Sequence, residues 1–368
     1  MSVDDAFVVS AYLALPTDPG ERACLDTRLR SLLAPLRQLA DSDEIGRTAR
    51  STLRADLERI IERVPECRAA HGRSIAVFLC EPAGLDERVV LPRTTRDRVV
   101  ADATPWLRPL LAVLDESWRY GVCIVDREQT WLYVFAMGEL ETAERARHEV
   151  HSRHAWRHHH GPPSTAQAEE RARHHYHDAS ERLTLLARMG RVDLLVVGGH
   201  AETVSAFLPF LPADVRTKVA GTFSVDPRHM TIGQVRQQTE QVVDAYERAQ
   251  ERRLVAEVID RVGNSGLVTL GLPWSLDAIN AEAVQLLLIV DDREIPGAVC
   301  TRCGWLSVGH LESCAVCGGS VRDTVDVIDE AAAAVIDAGG EIEHVYAETP
   351  LRQHVVATLT RFPVPRPD

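Results

Sequence analysis

The chain has 368 residues, 41 Lys and Arg against 54 Asp and Glu, and a net charge of −13. That length leads one to expect two or three domains, and the acidic balance argues against a protein that coats nucleic acid along its whole surface. Hydrophobic residues make up 45% of the chain with no apolar run near the roughly 18 residues a membrane helix needs, and the lone lysine, Lys218, is followed by Val219, so no GxxxxGK[ST] phosphate loop exists. The opening MSVDDAFVVSAYLALP is acidic and reaches Pro16 without a small-residue cleavage site; a cytoplasmic protein is expected.

Residues 7–15 (FVVSAYLAL) read as a strand ended by the turn signal Pro-Thr-Asp-Pro-Gly. Two helical runs follow, one through Leu25, Leu29, Leu33 and Leu36, the other through Leu53, Leu57, Ile60 and Ile61. Residues 74–80 (SIAVFLC) form a buried strand, 88–92 and 99–100 further short ones, and the apolar segment 107–114 closes an N-terminal α/β domain over 1–116. Two strands, 120–126 and 130–136, restart the pattern and open a middle domain over 117–232. Gly161-Pro162-Pro163 breaks any helix before one at 166–189; then come a strand at 193–198, a tight turn at Gly198-Gly199-His200, a helix at 201–210 and a strand at 219–225. A long amphipathic helix at 232–262 crosses into a C-terminal domain over 233–368, whose strands (267–270, 284–290, 341–346) alternate with helices (275–283, 326–338) as in a three-layer α/β sandwich.

The eight cysteines fall into two groups. Cys24, Cys67, Cys80 and Cys123 are widely scattered and read as small hydrophobes in a reducing compartment. Cys300-Thr-Arg-Cys303 and Cys314-Ala-Val-Cys317 are two knuckles separated by ten residues, each followed by glycine (Gly304, Gly318). Four thiolates so arranged can close around one tetrahedral Zn²⁺ with no open position, so a structural ion in a ribbon over 297–322 is expected rather than a redox dithiol.

Nine of the 15 histidines lie between His148 and His177. Within 150–177, Arg153, Arg157, Arg171 and Arg173 outnumber Glu169 and Glu170, with Trp156 and Tyr176 interleaved, so an acidic chain carries one basic loop over 148–177. Arginine and histidine can bind phosphates and stack on exposed bases; the residues expected to contact RNA are Arg153, His154, Arg157, His158, His159, His160, Gly161, Gln167, Arg171, Arg173 and His174. A solvated loop, and metal capture by His151, His154 and His158, are the competing readings. His148-Glu149-Val150-His151 misses the HExxH spacing by one residue, and His229 and His310 stand alone and read as surface or satisfied core residues rather than ligands.

This order of parts resembles the archaeal and eukaryotic peptide chain release factor subunit 1 family in its bacterial branch, with Pelota-like and Balon-like relatives. The strand YGVCIVD, the stretch HHHGPPSTAQAEERARHHYHD where the family carries a Gly-Gly-Gln loop before a long helix, the passage GLPWSLDAINAEAVQLLLIVD, the cysteine insertion and the closing GGEIEHVYAETP carry the likeness over roughly residues 117–368. It implies an RNase H-like middle domain and a C-terminal α/β/α sandwich of ribosomal-protein-related fold with an inserted zinc ribbon. It further implies a 70S ribosome partner, with 23S rRNA met at the peptidyl transferase centre, and an accompanying translation GTPase, with no membrane or DNA partner.

The chain departs from the family at the catalytic loop. None of Gly198-Gly199, Gly318-Gly319 and Gly339-Gly340 is followed by Gln, and Pro162 and Pro163 remove two backbone N–H groups where two glycines would let the loop approach the tRNA end. No catalytic residue is therefore expected, Gln167 and His160 being the weak candidates for a peptidyl-tRNA hydrolase. No stop-codon-reading motif stands in residues 1–116. The expectation is a release-factor homologue acting in ribosome hibernation or stalled-ribosome surveillance.

Overall fold

The computed structural model describes residues 6–16, 18–63, 66–67, 72–116, 118–147, 165–262, 266–290 and 293–364. They form two compact units, one made of residues 1–116 with 250–368 and the other of residues 117–249. Among the described residues the fold is α/β, built on four sheets.

In the first unit, β1 (Val8–Ala14), β2 (Ser74–Cys80), β3 (Leu85–Leu91) and β4 (Arg98–Asp102) make an antiparallel sheet of order β3-β2-β1-β4. After the short α1 (Pro19–Ala23), helices α2 (Leu25–Asp41) and α3 (Arg47–Glu62) bring Leu25, Leu29, Leu33, Leu53, Leu57 and Ile60 onto one face, against Val9, Ala11, Ile75 and Val77. The opposite face is also covered: Tyr12, Ala76 and Phe78 pack with Trp106 and Val113. Burial on both faces is why SIAVFLC is continuously apolar rather than alternating, and all seven of its residues are buried.

Helix α4 (Arg108–Asp115) ties this sheet to the C-terminal part of the same unit. The Trp106 indole N–H donates to Asp326 at 3.0 Å, Arg108 pairs with Asp326 at 2.8 Å, and the backbone N–H groups of Leu107 and Arg108 donate to Asp329 at 2.9 and 2.6 Å. Arg108 and Asp326 are almost entirely buried, so leaving either one unpaired would cost about 3–5 kcal/mol. Burial pushes the Asp329 carboxyl up to about 7.

The C-terminal sheet has the order β10-β16-β11-β15, from β10 (Val268–Leu270), β11 (Val284–Ile289), β15 (Glu341–His344) and β16 (Val356–Thr360). Leu287 and Ile289 of β11 pack under Leu276 and Ile279 of α9 (Leu272–Asn280) and Ile328 and Val335 of α10 (Val327–Asp337). Leu288, on the other face, meets Val255 and Val258 of the long helix α8 (Ile232–Asp260). These are the three layers expected. The strand β16, absent from the sequence reading, lies inside the sheet between β10 and β11.

The second unit holds β5 (Arg119–Val125), β6 (Gln129–Ala136), β7 (Glu139–Arg147), β8 (Leu194–Gly199) and β9 (Val219–Ser224) in the order β7-β6-β5-β8-β9. β5, β6 and β7 form an antiparallel meander, and β8 and β9 continue parallel to β5. Three meandering strands extended by two parallel ones is the RNase H-like arrangement expected. Helices α5 (Thr165–Arg188) and α6 (Ala201–Phe207) cover one face through Tyr176, Leu183 and Phe207, and the short α7 (Ala213–Arg216) adds Val215. The first half of α8 covers the other face through Val235 and Val243, so by packing the unit boundary falls inside this helix, near residue 249, rather than at its start. No helix among the described residues is long and apolar enough to cross a membrane.

Candidate metal centre and nucleic-acid interface

The cysteine insertion is a three-stranded sheet of order β13-β12-β14, made of β12 (Gly297–Cys300), β13 (Leu306–Val308) and β14 (Val321–Thr324). Each knuckle turns at its glycine: the Gly304 N–H donates to the Cys300 carbonyl at 3.0 Å and the Gly318 N–H to the Cys314 carbonyl at 2.9 Å, with φ of +73° and +64° that only glycine adopts without strain. These turns aim the Arg302 and Cys303 N–H groups at Cys300 Sγ, both at 3.4 Å.

The four sulfurs converge. Cys300 Sγ lies 3.5 Å from Cys317 Sγ, Cys303 Sγ lies 3.6 Å from Cys314 Sγ, and all four are within 4.8 Å of one another. The backbone N–H of Cys303 helps hold the Cys300 thiol down to about 6, and the N–H of Cys317 lowers Cys314 likewise. Cys303 goes the other way, up to about 12: the Trp305 N–H favours its thiolate but the neighbouring sulfurs outweigh it. Four sulfurs this close cannot all ionise unless a cation takes up the charge, so Cys300, Cys303, Cys314 and Cys317 could hold a metal ion, as their spacing led us to expect.

The basic segment divides into two parts. Arg153, His154, Arg157, His158, His159, His160 and Gly161, with Trp156, lie outside the described residues. Gln167, Arg171, Arg173 and His174 stand exposed on α5, within its first three turns. Their neighbours do not: His175 is buried with its Nε2 2.9 Å from the Thr130 hydroxyl, and Tyr176 packs edge-on against Phe207 and Phe210. Tyr176, interleaved in the basic run, is therefore a core residue, because it occupies the helix face that meets the sheet. β7 runs parallel to β5 by way of β6, so Arg147 ends at the sheet edge where Val125, Gly199 and Ser224 also end.

The same edge carries a grouping that sequence reading missed. His229 Nδ1 lies 2.6 Å from Asp226, whose other oxygen is 4.0 Å from His200 Nε2, and the His229 bond is the main reason the Asp226 carboxyl stays below its ordinary value. The i, i+3 spacing of Asp226 and His229 is the signal that could have found it. Gly199 (φ +148°) makes the turn beside it, where a Cβ would strike the Val125 carbonyl, so this Gly-Gly pair serves backbone approach. His310 is likewise paired, 2.8 Å from Asp323.

Residues 105–251 match the family model described as bacterial archaeo-eukaryotic release factor family 10. A peptide chain release factor subunit 1 from Methanopyrus kandleri is 22% identical over 302 residues, 77% of this chain and 73% of that one. Among solved structures, a model of ribosome-bound archaeal Pelota and ABCE1 is similar at 18% identity, covering 77% of this chain and 73% of that one with a TM-score of 0.41. Dom34 of S. cerevisiae, described as a translation termination-like factor in RNA quality control that interacts with Hbs1, is similar at 8% identity, with 79% and 81% covered and a TM-score of 0.39. Residues 105–251 are thus similar to the bacterial archaeo-eukaryotic release factors, and most of the chain is similar to an archaeal release factor subunit 1.

Proposed function

We propose that this chain is a cytoplasmic ribosome-binding factor that enters the A site with its middle-domain segment toward the peptidyl transferase centre. In this reading it acts in ribosome hibernation or surveillance of stalled ribosomes, without decoding stop codons. The observation that carries the reading is the segment of 17 residues between β7 and α5, the region of the family match, where an Arg- and His-rich sequence stands in place of Gly-Gly-Gln. Release chemistry needs a backbone free to approach the ester, and Pro162 and Pro163 deny that freedom while the arginines keep affinity for phosphate. The partner is the 70S ribosome, met at 23S rRNA. Any GTP hydrolysis comes from a translation GTPase, since this chain has no phosphate loop.

The ribbon ion in this reading is one structural Zn²⁺. Four sulfurs each about 2.3 Å from a tetrahedral zinc sit about 3.8 Å apart, close to the 3.5 and 3.6 Å observed. The test of function is cosedimentation of the purified protein with 70S ribosomes at near-physiological salt, with and without mRNA and tRNA. Pelleting with vacant or stalled ribosomes is expected, weakened by Arg171→Ala with Arg173→Ala; absence from the pellet in every arm would overturn the reading. Peptide release that disappears with Gln167→Ala would instead make the protein a peptidyl-tRNA hydrolase.

A further inference from the structure

We infer that the exposed face of α5 is a second metal site, distinct from the ribbon, in which His177, Asp178 and Glu181 bind a first-row divalent cation of the Ni²⁺ or Zn²⁺ kind. His177 Nδ1 lies 3.5 Å from Glu181 Oε1, and ligand atoms of all three residues fall within 4.8 Å of one another. Two donors each about 2.1 Å from one tetrahedral ion are separated by about 3.4 Å, so the His177–Glu181 spacing already suits shared ligation. One turn earlier, His174 Nε2 lies 3.3 Å from Glu170 Oε1 and repeats the pairing. Residues 170, 174, 177, 178 and 181 form one continuous stripe along the helix, at i, i+4, i+7, i+8 and i+11.

An isolated His–Glu pair four residues apart needs no metal to exist. What such a pair does not require is a third ligand, and Asp178 supplies one. The opposite face of α5 is anchored by Tyr176, Ala179, Leu183 and Ala187 in the core, so the backbone that carries the ligands is ordered before any ion arrives. One imidazole with two carboxylates is a mixed nitrogen and oxygen set, suited to Ni²⁺ or Zn²⁺ and much harder than the four thiolates of the ribbon. Three side chains leave coordination positions to water, so this site is open and exchangeable where the ribbon is closed.

The experiment is a calorimetric Ni²⁺ titration of the full-length protein, dialysed so that zinc remains in the closed ribbon alone, and carrying alanine at His151, His154, His158, His159 and His160, which removes the neighbouring histidine tract as a competing chelator. One Ni²⁺ per chain is expected. Affinity should fall by at least the roughly tenfold that even an outer-shell metal partner is worth, both with His177→Ala and with Glu181→Gln, while helicity is unchanged. No binding in the tract-substituted protein, or binding indifferent to both substitutions, overturns the site. Ribosome cosedimentation tests the proposed function separately, since the metal site does not depend on it.

Discussion

The cysteine ribbon and the histidine-rich helix are both dense in metal- and nucleic-acid-type side chains, yet they follow different rules. In the ribbon, the sequence motif itself is the geometry: each CxxCG turn fixes its own sulfurs with local hydrogen bonds, whatever surrounds it. In α5 the side chains are sorted by tertiary contact. His174 and His177 face solvent while His175 and Tyr176, between them, are buried in the middle unit's core. Spacing within a turn is thus a reliable guide to a site, whereas composition along a helix becomes one only once the buried face is known.

The largest test of that contrast is Cys314→Ser. Because Val299 and Leu306 of the ribbon contribute to the C-terminal core, losing the proposed ribbon ion, worth on the order of 10 kcal/mol, should abolish thiolate-bound metal, whatever the α5 site holds, and lower the melting temperature sharply. Metal analysis with thermal unfolding checks it, and retention of the ion would break the comparison at its stronger end. Next in size is a pair on α5. Leu183→Ala, at a fully buried position, should cost about 2–5 kcal/mol, and Leu185→Ala, at an exposed one, no more than about 0.5 kcal/mol, as read from denaturant unfolding. Equal effects would mean that burial does not sort this helix. The smallest concerns His310, whose imidazole is raised above 6.5 by Asp323. Since the folded value is the higher one, the pair stabilises fully below the unfolded value and its contribution is lost as pH rises through the raised value. Asp323→Asn should return the His310 NMR titration toward 6.5 and remove that pH dependence.

Much of the fold was legible because its strands are apolar in ways only a sheet explains. The strand 74–80 was read with its observed limits, and the helix read at 166–189 is observed at Thr165–Arg188. Outside the ribbon, two strands escaped. β7 reads ELETAERAR, charged and exposed, and is a strand because β6 pairs with it along its length. β16 is only five residues, VATLT, and its place between β10 and β11 is set by long-range pairing rather than by a local signal. The four cysteines that converge in the ribbon were legible to the residue. The stripe on α5 was not read out of the histidine-rich run, since the i, i+4 pairs stand out only against the buried face between them.

The junction at Arg108 and Asp326 also bears on the order in which the chain can fold during synthesis. Residues 117–249 are contiguous and can pack as soon as they emerge. The first unit is interrupted by that whole insertion: the Trp106 indole bonds a carboxylate 220 residues further on. Until Asp326 has been made, Trp106 and Arg108 lack the partner that buries them, so the first part of the protein to be translated is among the last to be completed.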